Sequence, residues 1–279
     1  MMDVIEIQTA SYCNGHCIIC PHESISKKFP QGIMSEELFE KILHQIKGVK
    51  RIIPYFNNEP FLDPNFIKRL KRIKEICPFS EIEISTNLSL LDKDNQERLK
   101  NIKIDELRLS IFGFTEETHS KMMKGLNWKK IKDNLDSLVN NFDLRRSIKE
   151  IGIVMIDFPL IKPKDLKLAK DYCKKHRLTF HLWGFMDRGG NVKNYSNNIY
   201  GDNVIGCEQD RPLNRMHVLF DGKVVLCCMD WKQEYVLGDL SKEKVIDVWS
   251  SRNYDVVRKA IYDPNIKSLD ICRRCKLSK

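Results

Sequence analysis

Ten cysteines stand in the 279-residue chain, and they are unevenly spread. Cys13, Cys17 and Cys20 lie in the stretch SYCNGHCIICPHES, spaced Cys-x3-Cys-x2-Cys. Cys207, Cys227, Cys228, Cys272 and Cys275 lie toward the C-terminal end, while Cys77 and Cys173 stand alone on apolar helical faces and read as core. Grouped thiolates take either a partner sulfur or a metal. The N-terminus MMDVIEIQTA is too short and too acidic for an export signal, so the expected compartment is the reducing cytoplasm and the expected partner is metal. Structural zinc takes four protein ligands. The first group offers three thiolates, with His16 or His22 as a candidate fourth ligand. An iron–sulfur cube on three cysteines instead leaves one iron open, which is what a reaction centre requires. The second group has enough cysteines to close a four-ligand site of either kind.

The elements that must position these groups read as strands alternating with helices. VIEIQTA (4–10), RIIPYF (51–56), EIEIST (81–86), ELRLSIF (106–112), EIGIVMI (150–156) and LTFHLWG (178–184) are rich in Ile, Val, Leu or aromatics and end in polar or Gly residues. Helical patterns cover 35–47, 64–76, 93–101, 128–141 and 163–175, and Ser35 opens the first as an N-cap with acids in its first turn. Such alternation predicts an α/β fold with a parallel sheet, either an incomplete (β/α) barrel or a doubly wound sheet. Functional groups in these folds sit just past the C-terminal strand ends. The cysteine triplet, NNEP, TN, SIFGF and DRGGNV all fall there. Residues 186–206 read as a linker. MHVLFDGKVVLCCMDW reads as a hairpin around Asp221-Gly222, and 242–250 and 254–262 as helices.

On these residues the sequence resembles a known family. CNGHCIICP is similar to the Cys-x3-Cys-x2-Cys signature of the radical S-adenosylmethionine (SAM) enzymes. FNNEPFLDP resembles the family's Gly-Gly-Glu-Pro segment, and EISTNLSLL its Ser-Thr-Asn-Gly strand. LRLSIFGFTEETHSKMMKG resembles its Ser-x-Asp-Gly segment and the helix after it. The resemblance implies a [4Fe–4S] cluster on Cys13, Cys17 and Cys20 whose unique iron chelates the amino and carboxylate groups of SAM. Reductive cleavage would then give methionine and a 5′-deoxyadenosyl radical that abstracts a substrate hydrogen atom. It also implies SAM contacts from Ile19, Asn58, Glu59, Asn87 and Ser110. Two of these depart from the family: Ile19 replaces an aromatic residue, and Asn57-Asn58 replace a glycine pair.

The second cysteine group resembles the auxiliary module called SPASM in its two-cluster form and Twitch in its one-cluster form. Too few cysteines are present for the full form, so one auxiliary [4Fe–4S] cluster on Cys207, Cys227, Cys272 and Cys275 is implied. Cys228 is the runner-up to Cys227, since adjacent strand residues face opposite ways and only one can meet the cluster. The implied organisation is a partial (β/α)6 barrel over 1–185, a linker over 186–206, and a hairpin-plus-helix Twitch module over 207–279.

A cube closed by four cysteines cannot bind substrate through iron, which points to electron transfer and a two-electron oxidation. Only twelve residues precede Cys13, so no fused leader-peptide-recognition domain is expected. That favours a small polar substrate, such as an aminocyclitol or sugar, with a peptide as the second choice. Epimerisation is the alternative reaction, and a non-catalytic Fe–S carrier or zinc protein the rival from another class. Arg188, in a segment similar to Ser-Arg-Ala-Gly-Asn, is a candidate to orient substrate or help remove a proton, and Asp187, Asp230 and Trp231 are weaker candidates. Cys228 is the candidate hydrogen donor for epimerisation. A flavodoxin- or ferredoxin-type reductant is the expected partner.

The formal charge of +9 suggests nucleic acid at first sight. Two clusters on seven thiolates would lower it by about 3. The basic helix NFIKRLKRIKEIC also sets Phe66, Leu70 and Ile73 on one face, so its lysines read as a solvated surface and argue against nucleic acid. His119, His176 and His217 read as structural or exposed. No apolar run is long enough to span a membrane.

Overall fold

The computed structural model describes residues 2–192 and 204–279, and residues 193–203, the middle of the expected linker 186–206, lie outside the described residues. In its first half the chain forms β1 (Val4–Ile7), α1 (Glu36–Gln45), β2 (Arg51–Ile53), α2 (Phe66–Ile76), β3 (Glu81–Thr86), α3 (Lys93–Leu99), β4 (Ile104–Ser110), α4 (Glu116–Met122) and α5 (Trp128–Asn140). There follow β5 (Ile148–Asp157), α6 (Pro163–His176), β6 (Thr179–Gly184), β7 (Arg215–Val218), β8 (Lys223–Val225), β9 (Val236–Asp239), α7 (Val245–Trp249) and α8 (Arg252–Tyr262). Each of the six expected barrel strands forms, as does each of the five helices expected among them. The fold is α/β, the partial barrel with a small C-terminal module. The chain divides into two compact units.

One unit comprises residues 1–11, 19–58 and 186–279. Its strands run in the order β9-β8-β7-β1-β2. β1 is parallel to both neighbours, with Ile5 opposite Ile52 on one side and Met216 on the other. Side chains alternate along a strand, so Ile5, Ile7, Ile52 and Met216 share one face, where all are fully buried, while Glu6 and His217 lie buried side by side on the other. β7 and β8 form the expected antiparallel hairpin. Its turn needs a left-handed residue, and Gly222 supplies it at φ 92°. Ser35 caps α1 by accepting the Leu38 N–H at 3.1 Å, and Phe39, Ile42 and Leu43 form the buried stripe of that helix.

The second unit comprises residues 12–18 and 59–185, with β3-β4-β5-β6 all parallel. Leu107 lies between Ile84 and Ile151 in this sheet; α2 leads into β3, and α3 to α6 connect the strands. α2 exposes Lys68 and Lys71 as expected, yet its Arg69 is buried. A buried guanidinium is costly unless paired, and Arg69 lies 3.1 Å from the equally buried Asp63. The loop after β4 is tight. Gly113 has φ 131°, and a Cβ there would lie 2.5 Å from the His119 nitrogen. The Asp165 carboxylate of α6 holds this loop, accepting the Phe114 and Thr115 N–H groups at 2.8 Å and the Thr118 hydroxyl at 2.8 Å.

Candidate active site

Cys13 and Cys17 occupy the loop that opens the second unit, and both are half-buried. A short ladder straps this loop, with His16 opposite Lys124 and Cys17 opposite Met123, and the Ile18 N–H donates to Met122 O at 3.0 Å. Gly125 makes that approach possible, since a Cβ at its φ of 82° would lie 2.7 Å from the His16 ring. Polar side chains hold the other side. Asn87 Nδ2 donates to Asn14 Oδ1 at 2.9 Å, and Asn14 Nδ2 donates to Ser89 Oγ at 2.9 Å. Ser89 in turn donates its hydroxyl and N–H to Asn87 Oδ1. Asn87 therefore braces the cysteine loop through Asn14. Sequence reading singled out neither Asn14 nor Ser89, although Asn14 lies inside the motif.

Glu59 is 1 % exposed. Its carboxylate accepts the Thr86 hydroxyl at 2.7 Å, the Asn87 N–H at 2.8 Å and the Phe61 N–H at 3.3 Å, and its own N–H donates to Tyr12 O. Burial pushes the carboxyl up to about 7, against the pull of those three donors. Oε1 accepts two of these bonds and Oε2 one, and a carboxylate oxygen can accept two, so acceptor capacity remains on Oε2 for a cation. Ser110, also in this unit, has its hydroxyl 3.2 Å from that of Ser85.

In the first unit, Ile19 is buried and Cys20 half-buried. Burial raises the Cys20 thiol, and the Arg188 cation pulls it back toward the thiolate. Arg188, Gly189 and Gly190 follow one another at φ 56°, 64° and 76°, a left-handed run closed by the Asn191 side chain on Arg188 O at 2.7 Å. The Arg188 Nε is buried without a hydrogen-bond partner among the described residues. Asn57, where the resemblance expects glycine, has φ 55°. Asparagine tolerates this region, so the glycine-like backbone is retained. Asn58 Oδ1 accepts the Phe56 N–H at 2.8 Å, while its Nδ2 is buried and unpartnered among the described residues. Of the two histidines weighed as ligands, His16 is exposed and His22 has its Nε2 3.0 Å from Ser11 O. Asp187, Asp230 and Trp231 are all buried.

Cys207, Cys227, Cys272 and Cys275 line one cavity, walled by Leu226, Met229, Ile261, Ile271 and Leu277. Two hydrogen bonds brace it: Glu208 N–H to Leu277 O at 2.8 Å and the Ser278 hydroxyl to Cys272 O at 2.6 Å. Burial pushes Cys272 up to about 12 and Cys275 up to about 11, and neighbouring thiolates add to both. Cys227 is raised for the same reasons, with Cys228 and Cys272 as its like-charged neighbours. Four thiols in an apolar cavity cannot all ionise unless positive charge joins them, which is what a metal cluster supplies. The donor set fits a cube.

Cys228 lies elsewhere. Its Sγ, the Glu6 carboxylate and the His217 ring lie within 4.8 Å of one another, and it packs on Phe56, Leu219 and Val225. The two cysteines are not strand residues, because β8 ends at Val225 after a register shift against β9. They open a turn instead, closed by the Asp230 N–H on Cys227 O at 2.9 Å and by the Glu234 and Tyr235 N–H groups on the Asp230 carboxylate. The different surroundings of the two sulfurs come from that turn, not from strand alternation. His217 is fully buried, a structural position and not an exposed one.

Two family matches divide the chain: the radical SAM superfamily over residues 7–181, and the SPASM iron–sulfur cluster-binding domain over residues 207–276. The S-adenosyl-L-methionine-dependent 2-deoxy-scyllo-inosamine dehydrogenase of Niallia circulans is 24% identical over 278 residues, covering 99% of this chain and 93% of that protein. A GTP 3′,8-cyclase of Limosilactobacillus fermentum is 23% identical, covering 83% of this chain and 80% of that one. Among solved structures, BtrN in complex with AdoMet and 2-DOIA superposes with a TM-score of 0.68 at 20% identity, covering 99% and 93% of the two chains. Streptococcus suis SuiB bound to precursor peptide SuiA gives 0.73 at 16% identity, covering 99% and 70%. With the superfamily signature matched along more than half its length, this chain belongs to the radical SAM superfamily, and its cofactors are SAM and two [4Fe–4S] clusters.

Proposed function

We propose that this radical SAM enzyme dehydrogenates a small polar substrate of the aminocyclitol or sugar class. The observation that carries the reading is the four-cysteine cavity, whose donor set is complete for one cube and leaves no iron open to substrate. The resemblance to a dehydrogenase over nearly the full length of both chains supports it. When bound, SAM and the two clusters supply hydrogen-atom abstraction and a one-electron acceptor. The substrate thus loses one hydrogen atom, one electron and one proton, which makes an alcohol a carbonyl.

The chain's own residues take the following parts in this proposal. Cys13, Cys17 and Cys20 hold the first cluster, and Cys207, Cys227, Cys272 and Cys275 the auxiliary one. Glu59 accepts a charge-assisted hydrogen bond from the ammonium of SAM. The unpartnered Asn58 amide donates toward SAM, and Asn87 fixes the cysteine loop through Asn14. Ile19 offers an apolar face for the adenine, and Ser110 a hydroxyl near the mouth. Arg188 orients the substrate oxygen that loses the proton. Residues 1–185 form the catalytic barrel and 207–279 the auxiliary module, joined by the linker 186–206. A flavodoxin- or ferredoxin-type protein delivers the first electron. Among the described residues no helix is long and apolar enough to cross a membrane.

The test is to reduce the reconstituted protein with SAM and a carbon-deuterated aminocyclitol, with GTP, or with a peptide. Deuterium in 5′-deoxyadenosine and a ketone product with the aminocyclitol support the reading. Turnover of GTP or peptide alone would replace it.

A further inference from the structure

Arg211 is 6 % exposed and lines the same cavity as Cys207, Cys227, Cys272 and Cys275. It opens a short helical turn, Arg211–Asn214, and Pro212 at the next position fixes the chain direction there. Its Nε is buried without a hydrogen-bond partner among the described residues. A buried guanidinium without anions nearby would be costly. The negative groups that act on it are Cys228, Cys227, Glu6 and Cys207. Glu6 is already shared, for it ion-pairs with Arg215 and lies 3.5 Å from His217 Nε2. Arg211 is therefore a fixed positive charge lining the cysteine cavity, which Glu6 only partly neutralises.

We propose that Arg211 sets the reduction potential of the auxiliary cluster, raising it so that the cluster accepts an electron. The inference rests on the assignment of that cluster to the four cysteines lining the cavity. The physical basis is charge. A cube on four thiolates carries a net charge of about −2 when oxidised and about −3 when reduced. A nearby cation stabilises the more negative state, and an N–H pointing at sulfur adds to this preference. The lining is mostly apolar, so the interaction is screened less than it would be in bulk water. Glu6 works in the opposite sense, since its negative charge offsets that of Arg211. Arg211 acts on the acceptor and is a positioning residue in that sense, not a catalytic one.

The experiment is an EPR-monitored redox titration of the anaerobically reconstituted full chain, with SAM addition separating the signal of the first cluster from that of the auxiliary one. Arg211→Met should hold about eight irons and lower the auxiliary potential by at least about 59 mV, a tenfold shift of a one-electron equilibrium. Arg211→Lys, which retains the charge, should restore most of the difference. Glu6→Gln should move the potential upward. An Arg211→Met protein with full iron and an unchanged potential overturns the proposal. If Arg211→Met loads only one cube, Glu6→Gln decides alone: a rise supports the proposal, and no change overturns it. A wild-type chain holding about four irons would remove the auxiliary cluster assignment itself, and the inference with it.

Discussion

The two cysteine groups are held by opposite kinds of surroundings. Around Cys13 and Cys17 the supports are polar and backbone contacts: Asn14 gripped by Asn87 and Ser89, Glu59 tied to Tyr12, and a two-residue ladder to Met123 and Lys124. Around Cys207, Cys227, Cys272 and Cys275 the wall is apolar, with Arg211 as its charged member. On the proposed function, the contrast follows from what each group has to do. A cofactor that arrives and leaves at every turnover needs hydrogen-bonding groups that water can satisfy in its absence. A resident electron carrier is better kept dry, where fixed charges set its potential.

The sharpest way to break this comparison is to remove each group in turn. Replacing Cys13, Cys17 and Cys20 by Ala should remove about half of an expected eight irons and abolish SAM cleavage. Replacing Cys272 and Cys275 should remove the other half, spare SAM cleavage and some hydrogen abstraction, and block the oxidised product. Iron analysis and 5′-deoxyadenosine yield read both outcomes. Loss of SAM cleavage in the second variant would mean that the two groups are not independent.

Next in size is Glu59→Gln. It should keep both clusters and weaken SAM binding by roughly 1.5–3 kcal/mol, the worth of a charge-assisted hydrogen bond. Unchanged SAM affinity would show that the buried carboxylate serves the fold alone.

The pH dependence of the same group sharpens the point. Burial raises the Glu59 carboxyl from 4.5 to about 7, so ionisation is less favourable in the folded chain than in the unfolded one. The stability that this group allows is complete below 4.5 and is lost as pH rises to about 7, with no further change above. SAM affinity should run the other way, because the ammonium needs the carboxylate. It should be roughly tenfold weaker at pH 6 than at pH 8, and flat in Glu59→Gln. A parallel slope in that variant would assign the effect to another group.

Asn14→Ala is a milder probe of the polar supports. Losing its bonds to Asn87 and Ser89 should loosen the first loop, lower SAM affinity by about 1 kcal/mol and leave the auxiliary iron intact. The smallest effect is expected from Cys228→Ala. Its sulfur lies by Glu6 and His217, so iron content should stay full and turnover normal. A trapped substrate radical in that variant would instead favour epimerisation, with Cys228 as the hydrogen donor.

The sequence by itself determined most of the elements and their order, though not the strand Val236–Asp239, because apolar residues at period 2 or 3.6 are local signals. Ile5 and Ile7, the stripe of Phe39, Ile42 and Leu43, and the turn at Gly222 were all legible in short windows. The Cys-x3-Cys-x2-Cys spacing was legible for the same reason. Only the tertiary structure decided which of Cys227 and Cys228 joins Cys207, Cys272 and Cys275, since a turn at Asp230, not a strand, separates their sulfurs. It also decided that His217 is buried against Glu6, and that Arg211 lines the cavity of the four cysteines. β1 meets β7 in register, Glu6 beside His217, across more than two hundred residues of chain. No window of sequence reports such a meeting, because it is the burial of the whole sheet that pays the entropy of bringing those residues together.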